Sequence, residues 1–423
     1  MSAVRAAAAL ALALALALLP GVAPTTAATS AADTSATVTS ASGTSAADTN
    51  ASGGVPASGP APAGAYPGGD SAQVVPGRTL QFPRDYGSHP QFGIEWWYVT
   101  GWLRDAYQHS LGFQITFFRV KPTLDADNPS AFTPRQLLIA HCALSDPAHG
   151  RLWQDQRIRR AGLGLAEAAS GDTRVWIDDW RLERRAAAGG GSVYRAQLQA
   201  DDFALDLTLS GAAPPMLNGV AGFSQKGPAP SSASEYYSEP HLAVSGSVVR
   251  SGRRATVQGE AWLDHEWASE YLDPRARGWD WVGLNLDDGG ALMAFVIRDR
   301  RGRPYWAGGT LRDAAGHTHT FGPGDIAFTP LSYWRSPRSG VRYPVSERVR
   351  VGPRQYVLAP LMNDQEFDAR LTSGAFYWEG AVTARAVGPV GHAGRAGLAG
   401  PAAAGAGRGY LELTGYDRPL SLR

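Results

Sequence analysis

The stretch AWLDHEWASEYLDPRARGWDWVGLNL, residues 261–286, sets Asp264, His265, Glu266, Glu270, Asp273 and Asp280 among tryptophan and tyrosine rings. A carboxyl flanked by indoles, as Asp280 is by Trp279 and Trp281, loses hydration and holds its proton towards neutral pH, as a general acid requires. Ring faces beside such an acid stabilise a positive charge. In AWLDHEW, Ala261, Leu263, His265 and Trp267 share one strand parity, and Trp262, Asp264 and Glu266 share the other. If Leu263 faces a cavity, His265 and Trp267 face it too. A second aromatic stretch, GIEWWYVTGWL at 93–103, puts Glu95, Trp97 and Val99 on one face and Trp96, Tyr98, Thr100 and Trp102 on the other. A glutamate aimed into a barrel must be paired or protonated. Both clusters also admit a plainer reading, in which polar groups tie strands together and rings fill a core.

Several other chemistries lack their residues. HEWASE is missing the second histidine of HExxH, and Glu270 would have to serve as a distant ligand, so no metal centre is expected. There is no GxSxG nucleophile elbow, no GxGxxG after a strand and no Walker loop, and no cofactor is expected.

The elements that must carry these residues alternate with period two. In FALDLTLS, Phe203, Leu205, Leu207 and Leu209 point one way and their polar neighbours the other, the pattern of a half-buried strand. Similar runs recur to the end of the chain, and RSGRR at 250–254, DDGG at 287–290, DRRGR at 299–303 and DAAG at 313–316 suit hairpin turns. LLIAHCALSD is the one run expected to contain a helical turn. The fold class is all-β, with antiparallel strands.

At 423 residues the chain is long enough for two domains. QKGPAPSSASEYYSEP predicts a boundary near 235, giving segments 76–235 and 236–423, each long enough for a barrel of ~8 strands around one ligand. GPVGHAGRAGLAGPAAAGAGRG, within 388–409, reads as a loop insertion. The net charge of +1 and the absence of a basic stripe argue against nucleic acid. Lys121 and Lys226 are the only lysines, and Cys142 the only cysteine, which excludes an intramolecular disulfide. The N-terminus has one charge at Arg5, an apolar run from Ala6 to Leu19 and small residues up to Ala28: a secretory signal over 1–28, too short to span a bilayer comfortably. Residues 29–75 read as a disordered Ser/Thr/Ala/Gly/Pro spacer. The protein is expected to be exported, to the periplasm or beyond the cell.

EWWYVTGWL, GFQITFFR, EYYSEPHLAVSG, AWLDHEW, GWDWVGLNLDDGGALMAFVIRD, YWEG and GYLELTGY, in that order, resemble the AttH / carotenoid 1,2-hydratase (CrtC-like) family of lipocalin-like proteins, over about residues 80–418. The resemblance implies two consecutive lipocalin-like barrels and a long apolar ligand of isoprenoid or polyene type. It also implies cofactor-free addition of water to an alkene by a His-x-Trp pair and a downstream Tyr/Asp pair. His265 and Trp267 match the first pair; Asp280 stands for the acid of the second, with tryptophan beside it instead of tyrosine.

Two functions from different classes follow. In the first, Asp280 protonates an alkene, Trp267, Trp279 and Trp281 stabilise the cation, and His265 deprotonates the attacking water, while Glu95, Trp97 and Tyr237 hold the substrate. In the second, the protein is a non-catalytic carrier of a lipid or apolar metabolite, with peripheral association with a membrane. A secreted hydrolase is a third reading, against which the missing nucleophile motif counts. Convergence of His265, Asp280, Glu95 and Tyr237 on one cavity would favour catalysis.

Overall fold

The computed structural model describes residues 71–122, 129–130, 132–270, 272–387 and 406–420, which fall in one compact unit. The expected signal, the spacer up to residue 70 and most of the 388–409 insertion lie outside the described residues. No helix among the described residues is long and apolar enough to cross a membrane.

Every long element is a strand, as the period-two pattern predicts, and all pairings are antiparallel. Among the described residues thirteen strands form one sheet and ten a second, and they make two lipocalin-like barrels, one nearly closed and the other a half-barrel. The strand counts exceed the ~8 expected because short strands extend one edge of each sheet and pair alongside the long strands Ala233–Arg250 and Ala375–Val387. All four expected turns join hairpins. At 250–254 the turn is built on Ser251 and Gly252, both with positive φ (48° and 73°), the handedness that a tight two-residue turn needs.

Two expectations need correction. LLIAHCALSD contains no helical turn: Leu137–Ser145 is a strand, and its unbroken apolar run reflects burial on both faces. The boundary near 235 is also misplaced. The long strands Ala233–Arg250 and Arg253–Ala268 both belong to the first sheet, where 253–268 lies between 94–105 and 233–250. The chain changes sheet only after Ala268, before the strand Ala276–Leu286. Pro- and Ser-rich composition at 226–232 marks a loop within the first sheet.

The cores follow strand parity. Along Ile94–Asp105, Trp97, Val99 and Leu103 point into the first barrel with Leu263, Trp267 and Tyr237. Val282, Leu284 and Leu286 fill the second barrel with Val345, Leu358 and Trp378. A third apolar layer lies between the sheets, where Tyr98, Trp102, Tyr236 and Trp262 meet Trp281 and Phe295. The central strands are therefore buried on both faces, and each sends alternate residues into a barrel and into the seam.

Candidate active site between the two sheets

His265, Trp267, Glu95, Trp97 and Tyr237 do come together, inside the first barrel. One oxygen of Glu95 bonds His265 Nε2 at 2.9 Å and His89 Nδ1 at 2.8 Å, while Arg119 donates to the other at 2.8 Å. The Tyr237 hydroxyl bonds His265 Nδ1 at 3.0 Å, and Asp85 bonds His89 Nε2 at 3.2 Å. Trp97 stacks on His265 with ring centroids 4.6 Å apart, and Trp267 on His89 at 3.7 Å. Burial alone would raise the Glu95 pKa, but His265, His89 and Arg119 hold it well below the usual carboxylate range. Burial lowers that of His265, although Glu95 opposes this.

This arrangement is a closed polar core. Glu95, Arg119 and His265 have no exposed surface. Their charges balance internally, and Ser88 and His89 tie the segment before the strand Ile94–Asp105 to Glu95, while Asp85 holds the far side of the His89 ring. His89, Glu95 and His265 offer ligand atoms within 4.8 Å of one another. They are a poor fit to a divalent cation, because Arg119 already neutralises the one carboxylate of the set.

Asp280 is elsewhere. On the strand 276–286 it shares parity with Val282 and Leu284 and points into the second barrel, where Arg298 donates to it at 3.1 Å. Burial raises its pKa, as the flanking indoles suggested, and Arg298 opposes the rise. Asp280 and His265 occupy different barrels, so the expected acid–base pair across one cavity does not form. Trp279 and Trp281, of opposite parity, point into neither barrel.

Those two tryptophans line an apolar cavity of about 140 Å³ between the sheets. Trp96, Tyr98 and Tyr236 come to it from the first sheet, and Phe295 and Ile297 from the second. Six carboxyls line it, among them Asp264, Glu379 and Glu412. Asp264 is buried; its oxygens accept hydrogen bonds from Tyr236 Oη at 2.7 Å, Ser238 Oγ at 2.6 Å and Trp262 Nε1 at 2.6 Å. Burial nevertheless pushes its pKa up to about 7. Glu412 is half-buried, accepts from Trp279 Nε1 at 2.9 Å, and is likewise raised by burial to about 7. Glu379 lies opposite Glu412 on the paired strands Ala375–Val387 and Gly407–Leu413. Burial, reinforced by repulsion from Glu412, lifts it well above the ordinary glutamate value, and the Tyr98 and Tyr377 hydroxyls oppose the rise.

Near neutral pH this wall therefore holds protonated and ionised carboxyls side by side, against indole and phenol rings. It can donate a proton at one point and accept one at another. Lys226, over the rings of Tyr236 and Phe295, pairs with Glu266 at 3.0 Å nearby. On the same wall, His141 bonds the Tyr377 hydroxyl at 2.9 Å, and burial depresses its pKa to about 3, which keeps it neutral.

Of these residues, Asp264 was visible in the sequence but assigned no role, and Glu379 and Glu412 stood unremarked in YWEG and GYLELTGY. The available signal was parity. Asp264 and Glu266 alternate with Leu263 and Trp267, and in a strand buried on both faces the polar register marks a second interior.

A family model described as AttH-like matches residues 73–416. The crystal structure of a Nitrosomonas europaea protein assigned provisionally as an AttH is 51% identical, covers 82% of this chain and 99% of its own, and superposes with a TM-score of 0.72. Kievitone hydratase from Nectria haematococca has a TM-score of 0.59 at 15% identity, over 82% of this chain and 97% of its own, a likeness of fold. A search of curated proteins gave no match.

Proposed function

From the premise that the chain belongs to the AttH-like family, we propose that it adds water to an alkene of an apolar, isoprenoid-like ligand in the cavity between its sheets, by acid catalysis without a cofactor. The observation that carries this is the set of Asp264, Glu379 and Glu412, raised towards or above neutrality on a wall of aromatic rings. The Glu379–Glu412 pair, sharing a proton, delivers it to one alkene carbon. The π electrons form the new C–H bond and leave a cation on the other carbon. Trp279 and Trp281 stabilise that cation through their ring faces by ~0.5–2 kcal/mol each. Water attacks the cation, and Asp264, ionised at this stage, removes the extra proton, which returns through solvent to the glutamate pair.

On this reading the ligand is a hydrophobic small molecule, and the protein meets it after export, beside a membrane. The test is incubation of the protein with acyclic carotenoids and shorter isoprenoids in ¹⁸O-labelled water. A labelled alcohol that is lost in both Glu379→Gln and Asp264→Asn supports the reading. Ligand that stays bound and unchanged identifies a carrier instead.

A further inference from the structure

The charge around this cavity is lopsided. Six carboxyls line it against a single lysine: among the described residues no cation is paired to Asp264, Glu379 or Glu412, and Lys226 is engaged with Glu266. Glu379 is buried at the wall, where the groups beside it are the neutral hydroxyls of Tyr98 and Tyr377. Burying ionised carboxyls without counter-charge is unfavourable, so an empty cavity keeps them partly protonated.

The same walls already hold an ammonium. Lys226 Nζ lies 4.2 Å from the centroid of Phe295 and 4.7 Å from that of Tyr236. The three carboxyls are too dispersed to chelate a metal: among the described residues the one such cluster with ligand atoms mutually within 4.8 Å is His89, Glu95 and His265, in the first barrel. What fits dispersed negative charge and ring faces together is a large, weakly hydrated organic cation.

We propose that the inter-sheet cavity binds hydrophobic cations, amphiphiles with a tertiary or quaternary ammonium on an apolar chain, and rejects anions of the same length. The chain occupies the apolar layer lined by Phe295 and Ile297, and the ammonium sits against Trp279 and Trp281 within the field of the three carboxyls, which ionise as it enters. The inference rests on the cavity of the proposed reaction and not on its chemistry.

The test is calorimetric titration of the full chain at mildly alkaline pH with decyltrimethylammonium, decanoate and decanol, each below its micelle concentration. Decyltrimethylammonium is expected to bind at least ~10-fold more tightly than decanoate, about 1.4 kcal/mol. Glu379→Gln combined with Glu412→Gln should shrink that preference several-fold. Lys226→Met, which removes the opposing positive charge, should enlarge it, and carries the test alone if the double variant does not fold. Equal or tighter binding of decanoate, or a preference unchanged in the folded variants, would overturn the proposal. Turnover of alkenes without ammonium binding defeats this inference alone, and ammonium binding without turnover defeats only the hydration reading.

Discussion

Glu379 and Glu412 stand directly opposite each other on paired antiparallel strands, with the cavity between the sheets in front of them. Side chains so placed have Cβ atoms ~5 Å apart, and two carboxyls at that range cannot both ionise without repulsion. Either Glu379→Gln or Glu412→Gln frees the remaining carboxyl from this repulsion. The account predicts a loss of hydration rate of at least ~100-fold in each variant, the scale of a missing general acid, with little change in ligand affinity. A pH–rate profile of any residual activity should show its alkaline limb, where the acid loses its proton, shifted to lower pH in Glu412→Gln.

Asp264 makes stability depend on pH. Its pKa rises from 3.8 to about 7 on folding, so between those values the native state binds more protons than the unfolded chain. Its contribution is complete below about pH 4 and is lost as pH rises to about 7, on the order of 4 kcal/mol. The wild-type melting temperature is expected to fall between pH 5 and pH 7, and Asp264→Asn should flatten that fall. An unaltered slope would mean that Asp264 ionises normally.

Asp280→Asn should leave hydration largely intact. Asp280 points into the second barrel, and its partner there is Arg298. The substitution removes the counter-charge of a buried guanidinium, with an expected cost of ~3 kcal/mol in denaturant unfolding. Abolished turnover in a fully folded Asp280→Asn protein would return the acid to the second barrel.

Glu95→Gln should act on stability in the same way. It leaves Arg119 buried without its carboxylate, at a cost of roughly 3–5 kcal/mol, measurable as a lower urea midpoint. The activity of the folded fraction should persist, because the Glu95–His265 network is closed off inside the first barrel.

Trp281→Leu keeps the wall apolar but removes a ring. Loss of one cation–π contact of ~0.5–2 kcal/mol should lower the hydration rate by about 2- to 30-fold. The effect should fall on kcat more than on KM, because the cation exists only after protonation.

The strands, the hairpin turns and the all-β class were legible in the sequence because each depends on near neighbours: alternation in Phe203–Leu209, turn chemistry at Ser251 and Gly252. The parity of Glu95 with Trp97, and of His265 with Trp267, also carried through to the structure. What parity alone could not supply was the number of interiors. Trp281 and Asp280 are adjacent in sequence, and adjacency on a strand buried on both faces sends them to opposite sides. Flanking indoles therefore did not mean a shared cavity. Glu379 and Glu412 were illegible for a different reason: they meet only through the pairing of 375–387 with 407–413, across an insertion that no local pattern bridges. The misplaced boundary has a similar origin, since a Pro/Ser-rich loop reads alike within a sheet or between two.

The most direct test of this account is a crystal structure of the protein with a bound apolar alkene. The account predicts density between the two sheets, against Trp279 and Trp281, with the double bond within reach of Glu379 and Asp264. Density inside the first barrel beside His265, or inside the second beside Asp280, would contradict it.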